Sequence, residues 1–282
     1  MPSKTPSRPV RRGVLVAGLA ALAWPALAQR SPREAIVVGV EATLMASGLA
    51  ARLRVAVARD TGLAVDWRPG PSGLLLPQLE RGEIDAALTQ EPALELALLQ
   101  KNLVHDRRAV VRTDFVLVGP APRKATRKEP ASGDPAGIAG GHDAAAALAR
   151  IVAAGERGEA GFVTPVEPTG ARSIEQALWK AAGPQPVGPW LRTAGPGPTA
   201  VLQLARETGS YALVERGVWS ALGAGSGLAV LVDGDERLRA SYHVMRSFRV
   251  NHPGGKLLVS WLAGPTGQRT VAGFGRGYQK AA

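Results

Sequence analysis

The chain has 282 residues, of which 20% are charged and none is cysteine. The lack of cysteine excludes disulfide bonds, thiol nucleophiles and metal sites built on thiolates. Histidine is also scarce, and the four residues are His105, His142, His243 and His252. No two of them stand at the spacing of metal ligands on a helix. We therefore expect neither a bound metal ion nor a cofactor.

The N-terminus has the three parts of a secretory signal peptide. Four basic residues precede the apolar run 13–24, and the small-residue site Ala26-Leu27-Ala28 follows. The run is shorter than the roughly 20 residues that a membrane helix needs, which favours a cleaved signal over a membrane anchor. We predict a signal peptide over residues 1–28, and a mature chain that lies in the periplasm without membrane insertion. Arg11-Arg12 leaves open whether export is by the Sec or the twin-arginine route.

The chain is basic, and part of that charge belongs to the signal peptide. There are 34 Lys+Arg and 23 Asp+Glu, a net charge of +11, and loss of the four basic residues in 1–28 leaves +7. The densest basic run, 123–128, has no aromatic residues between its charges, so we interpret it as a solvated loop and predict no nucleic-acid binding. The positive balance favours an anionic ligand.

Short segments rich in Val, Ile and Leu alternate with segments of helical periodicity. We predict strands over 35–40, 63–69, 84–89 and 114–119. The helices predicted in this part are 48–59, 74–81 and 92–101. Uninterrupted apolar strands that alternate with helices indicate an α/β fold with a mainly parallel sheet.

A second α/β unit follows a connection, 120–141, that is rich in proline, glycine and charge. Its predicted strands are 161–166, 210–215 and 228–233, and another apolar segment spans 241–250. Its predicted helices are 143–154, 172–182, 199–208 and 217–222. Two more helices, over 254–262 and after Pro265, end the chain, but this last portion is too small to fold alone.

Hydroxyl side chains follow several predicted strands at the point where a helix begins. Thr43, Ser72 and Thr169 have this position, and Thr199 stands at another predicted helix start. Each of these residues alone is explained as a helix cap that stabilises its helix by about 1 kcal/mol. Together they predict a ligand cleft, because open α/β sheets bind ligands beyond the carboxyl ends of strands and free N–H groups at helix starts favour anions.

Two glycine-containing segments resemble catalytic or cofactor motifs without meeting their requirements. GPSG (70–73) is followed by leucine where a nucleophile elbow has glycine. GAGSG (223–227) follows a predicted helix, whereas a dinucleotide loop follows a strand. We therefore predict that the protein is not an enzyme.

Four motifs occur in a familiar order: SGL (47–49), LERGEIDAALTQEP (79–92), DFVLVGP (114–120) and ETGSYALVERG (207–217). In these motifs the chain resembles the tungstate-binding proteins of bacterial ABC importers, and the resemblance covers nearly the whole mature length. That family has the two-lobed architecture of type II periplasmic binding proteins. The resemblance implies a first lobe of residues 33–118 and 234–282, and a second lobe of residues 119–233.

The chain departs from the family where ligand contacts are expected. The family has a Thr/Ser-rich stretch after its first strand, and this chain has Glu41 and Thr43 there. If Glu41 faces a dianion, the two charges repel. Either Glu41 points away, or it is neutral or paired with an arginine, or the ligand is not a simple dianion.

A second departure concerns the cation of the family's site. The family carries Ser-Arg ahead of a Ser-Gly-Thr loop, and this chain has Thr164-Pro165 there, with Arg172 as the nearest candidate to replace the arginine. The predicted ligand-binding residues are Glu41, Thr43, Ser72, Thr164, Thr169, Arg172 and Thr199.

The resemblance implies a monomeric solute-binding protein that captures tungstate or molybdate between two lobes and delivers it to the permease of an ABC importer. Two alternatives stay open at this point. The ligand can be another small anion or a zwitterion, with Glu41 facing a positive group. The protein can also have lost transport and serve as an accessory factor of an exported molybdenum or tungsten enzyme.

Overall fold

The computed structural model describes residues 28–29, 34–123, 127, 133–183 and 185–281. Except for Ala28, the predicted signal peptide lies outside the described residues. Within the described part of the chain, no helix combines the length and the apolar character of a membrane span.

Twelve strands and ten α-helices make up the described chain. The strands are β1 (Ala28–Gln29), β2 (Ile36–Glu41), β3 (Val65–Gly70), β4 (Ala86–Thr89), β5 (Val104–Pro120), β6 (Phe162–Pro165), β7 (Leu191–Ala194), β8 (Tyr211–Glu215), β9 (Leu228–Val232), β10 (Arg239–Ser247), β11 (Val250–Asn251) and β12 (Gln279–Lys280). The helices are α1 (Ala42–Ala46), α2 (Leu49–Thr61), α3 (Ser72–Arg81), α4 (Pro92–Gln100), α5 (Ala144–Glu156), α6 (Gly170–Ala182), α7 (Pro198–Thr208), α8 (Arg216–Leu222), α9 (Gly255–Ala263) and α10 (Pro265–Ala272).

The main sheet has the strand order β3-β2-β4-β10-β5-β8-β6-β7, and β9 and β12 also pair with β5. Pairings of β2 with β3 and β4, and of β6 with β7 and β8, are parallel. Strands β10 and β5 run antiparallel to their neighbours and join the two parallel groups. The predicted α/β class with mainly parallel sheets and flanking helices is confirmed.

Strand β5 passes from one half of the molecule into the other. Its residues up to Asp114 pair with β10, and its residues from Phe115 pair with β8. The buried side chains divide at the same place. One set of core clusters uses residues 36–111 and 242–278, and the other uses residues 115–240. We call these two halves the first lobe and the second lobe; the boundaries at 118 and 233 stay predictions.

Local signals explain where several helices begin and end. Asp143 and Thr169 precede α5 and α6, and each side chain accepts a hydrogen bond from an N–H of the first turn. Gly82 and Gly209 end α3 and α7 with φ of 76° and 58°, which a residue without a side chain adopts at little cost. Both helices therefore stop where the sequence predicts.

Candidate ligand-binding site

A small cavity lies between the two lobes. It encloses about 40 Å³, which is about the space that three buried water molecules occupy. Its walls come from the ends of β2, β6 and β8 and from the beginnings of α6 and α7. Ligands of parallel α/β sheets bind at this end of the strands. The cavity is therefore the leading candidate for a ligand site.

Glu41 ends β2 and forms part of the cavity wall, with 2% of its surface exposed. Its Oε2 accepts hydrogen bonds from the Ser72 N–H at 2.7 Å and from the Ser72 hydroxyl. Ser72 Oγ also accepts a hydrogen bond from the Gln90 N–H at 3.1 Å. Ser72 thus lies behind Glu41, outside the wall, and fixes the carboxyl against the first turn of α3.

Burial raises the pKa of Glu41 to about 8; the hydrogen bonds from Ser72 oppose this rise, and the carboxyls of Glu215 and Glu91 add to it. The neutral acid therefore predominates at neutral pH. An ionised Glu41 would repel a second unit charge at about 4 Å by about 4 kcal/mol at an effective dielectric constant near 20. Because the neutral acid removes this repulsion, Glu41 itself does not exclude an anion from the cavity at neutral pH.

Glu215 lies at the end of β8 and also lines the cavity. The hydroxyls of Tyr242 and Tyr278, both from the first lobe, donate to its two carboxyl oxygens. Burial raises the pKa of Glu215 to about 7, although the two tyrosine hydrogen bonds act to lower it. Thr43 Oγ1 is 2.6 Å from the Tyr242 hydroxyl. The Thr43 hydroxyl therefore belongs to the hydrogen-bond network of Tyr242 and Glu215, and the N–H of Thr43 is the donor that it leaves for a ligand.

The second lobe contributes the start of α6 to the wall. Thr169 caps this helix, and its Oγ1 accepts a hydrogen bond from the Arg172 N–H at 3.2 Å. The hydroxyl proton of Thr169 is therefore available to a ligand. The N–H groups of Gly170 and Ala171 have no partner within the helix, because the first turn of any α-helix lacks one. Such groups favour an anion.

Glu167 also belongs to the wall of the cavity. Its carboxylate accepts a hydrogen bond from the Gly197 N–H at 2.7 Å, just before α7 begins. This bond ties together the loops that precede α6 and α7. Three acids therefore line the cavity, and no Lys or Arg of the described residues does so.

Direct contacts between the lobes close the cavity on one side. They are the Gly73 N–H to the Pro168 carbonyl at 2.9 Å, the Ser173 hydroxyl to Glu91 Oε2 at 2.8 Å, and Gly170 packed against Gln90. A Cβ at Gly170 would overlap the carbonyl oxygen of Gln90, and one at Gly73 would come within 2.7 Å of the Pro168 carbonyl oxygen. The absence of a side chain at both positions allows this close approach.

Two of the predicted site residues pair with each other behind the wall. Thr164 is buried, and its hydroxyl donates to Glu175 Oε1 at 2.7 Å. Arg172 Nη1 donates to the same carboxyl oxygen at 2.8 Å and to Thr164 Oγ1. The guanidinium lies along its own helix and is not part of the cavity wall. In this conformation Arg172 neutralises Glu175 rather than a ligand.

The structure brings Glu41, Thr43 and Thr169 together in one wall. Thr199 is exposed on the first turn of α7 and is not in the wall, although its neighbour Pro198 is. The ligand-binding roles of all seven candidates stay predictions.

Sequence reasoning missed Glu167, Glu215, Tyr242 and Tyr278. Glu215 could have been predicted from the sequence, because it ends a buried strand immediately before a helix, as Glu41 does. The tyrosines had no such signal, since their hydrogen bonds join residues 27 to 231 positions apart in the chain.

A wider groove of about 1070 Å³ runs along the junction of the lobes outside the cavity. Several arginines line it, but three of them are held in ion pairs. Arg216 pairs with Asp114 and Asp233, Arg237 pairs with Asp143 and Asp235, and Arg239 pairs with Glu236. The smaller cavity is the better candidate for a small ligand, since it is less open to solvent than the groove and is lined by helix starts. No cluster of three or more potential metal ligands occurs among the residues that the structure describes.

Comparison with known proteins identifies relatives that match most of the chain. A family model described as "PBP superfamily domain" matches residues 28–266. The tungstate-binding protein TupA of Peptoclostridium acidaminophilum is 26% identical, over 86% of this chain and 82% of its own length.

Solved structures agree with this result. A structure described as the tungstate ABC transporter from Geobacter sulfurreducens has a TM-score of 0.72 and 28% identity, and the match covers 85% of this chain and 98% of that one. The tungstate-binding protein TupA from Desulfovibrio alaskensis has a TM-score of 0.68 and 26% identity, with 88% and 99% covered. The predicted resemblance and the predicted type II architecture are both confirmed.

Proposed function

Because the chain belongs to the PBP superfamily, we propose that it is a solute-binding protein that holds a small ligand in the cavity between its lobes. The observation that carries this proposal is the cavity itself, whose walls combine strand and helix ends from both lobes. Rotation of the lobes about strands such as β5 would open and close it, a hinge motion without bond chemistry.

Tungstate and molybdate are the ligands that we propose first, since relatives named for tungstate binding align with nearly the whole chain. Each is an ion whose oxygens only accept hydrogen bonds at neutral pH. The cavity offers matching donors in the Thr169 hydroxyl and in the first N–H groups of α1 and α6. The neutral acid of Glu41 adds no negative charge.

The same proposal extends to location and partner. After removal of the predicted signal peptide, the protein acts in the periplasm as a monomer, carries out no reaction and passes its ligand to the permease of an ABC importer. This part rests on the signal-like sequence of residues 1–28 and on relatives that are binding proteins of ABC transporters.

A second candidate ligand is a small zwitterion or another molecule with a positive group. The acidic wall favours it, since Glu41, Glu167 and Glu215 line the cavity without a Lys or Arg among the described residues. A positive group beside Glu41 would stabilise its ionised form.

A thermal-shift screen of the mature protein against tungstate, molybdate, sulfate, phosphate and amino acids distinguishes these candidates. A ligand at about 100 times its dissociation constant stabilises the folded state by about 2.7 kcal/mol, which raises the melting temperature by about 5–10 °C in a protein of this size. We expect that rise with tungstate and molybdate and none with sulfate, which serves as the matched anion. A rise with an amino acid alone favours the second candidate. No rise with any compound contradicts a binding role and favours the accessory one.

A further inference from the structure

The two oxygens of the Glu41 carboxyl have different environments. Oε2 accepts both the N–H and the O–H of Ser72. Oε1 has no hydrogen-bond partner among the described residues, and Glu41 forms part of the cavity wall. Oε1 is therefore the carboxyl atom that remains for a ligand.

This asymmetry decides where a proton sits when Glu41 is neutral. Ser72 donates both its N–H and its hydroxyl proton to Oε2, and these two hydrogen bonds occupy the lone pairs of that oxygen. The acidic proton then occupies Oε1, where it is a hydrogen-bond donor to the cavity.

The charged groups around Glu41 favour its protonated, neutral form. The titratable groups nearest to it are Glu91 after β4, Glu167 before α6, Glu215 before α8, and Tyr242 on β10. All four are neutral or negative in every protonation state, and Arg172, the cation predicted for the site, is bound to Glu175. A carboxylate at this place would have only Ser72 to stabilise it.

We propose, on the basis of the function proposed above, that the cavity binds a fully deprotonated oxyanion together with one proton, which Glu41 Oε1 donates to a ligand oxygen. Glu41 is thereby a specificity-determining residue that replaces a cation with a neutral donor. The raised pKa of Glu41, about 8, agrees with this arrangement. The proposal has a definite pH dependence: the ionised form above this pH lacks the donor and repels the anion.

Isothermal titration of the mature protein with sodium tungstate between pH 7 and 9.5 tests the proposal. Glu215 lines the same cavity with its pKa raised to about 7, so its ionisation adds repulsion to the anion already between pH 7 and 8. Above about pH 8 we expect a tenfold weakening of binding per pH unit, as expected for the uptake of one proton by Glu41. At pH 9 the heat should also depend on the ionisation enthalpy of the buffer, with an uptake close to one proton per tungstate.

Two variants make the test specific. Glu41→Gln keeps an acceptor for Ser72 and places an amide N–H at the position of Oε1. It should therefore bind tungstate at pH 7 within about tenfold of the parent, the range of one hydrogen bond, and should lose the tenfold weakening per pH unit above pH 8. Glu167→Gln alters another acid of the same wall, and whatever its affinity, it should keep the pH dependence.

Three results would overturn the inference. The first is tungstate binding by the parent that is independent of pH up to 9.5 and takes up no proton. The second is a folded Glu41→Gln protein that does not bind at pH 7. The third is the absence of binding of either tungstate or molybdate to the parent at any pH, which also contradicts the ligand of the proposed function. The first two leave the proposed function intact.

Discussion

Substitution of Gly170 by alanine is expected to weaken tungstate binding by about tenfold to a hundredfold while the protein stays folded. In the closed conformation the added Cβ overlaps the carbonyl oxygen of Gln90, which belongs to the opposite lobe. Overpacking of a well-fitted contact typically costs about 1–3 kcal/mol. This cost destabilises the closed conformation only. In an open conformation the clash is absent, and alanine is a better helix residue than glycine.

Titration calorimetry gives the affinity of this variant, and a thermal melt without ligand gives its stability. Gly73→Ala, which meets the carbonyl of Pro168 from the other side of the cleft, should behave in the same way. Gly195→Ala is the matched control, because its Cβ would meet no atom closer than 3.9 Å. Unchanged binding by both cleft variants would show that the ligand does not require the lobes to touch here.

Tyr278→Phe is expected to destabilise the protein by about 1.5–3 kcal/mol above pH 7, the value of a hydrogen bond to a charged group. The lost hydroxyl donates to Glu215, which is buried beside the cavity and has its pKa raised to about 7. Because this pKa exceeds the ordinary value of 4.5 for the unfolded chain, the folded state loses stability as pH rises from about 4.5 to about 7. The variant has one tyrosine fewer to stabilise the ionised Glu215, so it should lose more stability than the parent as the pH rises.

Urea denaturation at pH 6 and pH 8.5 measures this effect. At pH 6 Glu215 is mainly neutral, and the difference between variant and parent should fall to about 1 kcal/mol, the value of a neutral hydrogen bond. Tyr211→Phe is the control, since that hydroxyl contacts Asp134 and Ala136 and not the cavity. An equal difference at both pH values for Tyr278→Phe would contradict the assigned role of Glu215.

The sequence predicted the fold well where the hydrophobic pattern is local. Strands such as Phe162–Pro165 and helices such as Gly170–Ala182 lie within a few residues of their predicted bounds. The first part of Val104–Pro120 was missed, because this stretch carries charged residues and has one partly exposed face. Leu191–Ala194 was also missed, since it is four residues long and two of them are exposed.

The candidate site was predictable only in part. Glu41 was recognisable as an acid at the end of a buried strand, but its pairing with Ser72 depends on how β2 and α3 pack. The pairing of Arg172 with Glu175 is different, because residues three apart on a helix are neighbours. The sequence therefore allowed the prediction that Glu175 competes with a ligand for Arg172. The Tyr278 contact depends on the return of the chain's last residues to β5.

The most direct test of the account is a crystal structure of the mature protein grown with tungstate, with diffraction data collected at the tungsten absorption edge. We expect one strong anomalous peak in the cavity between Glu41 and the first turn of α6, with ligand oxygens within hydrogen-bond distance of Glu41 Oε1 and the Thr169 hydroxyl. A peak only in the outer groove, beside Arg112 or Arg239, would contradict the account, as would a cavity that holds no tungsten at saturating tungstate.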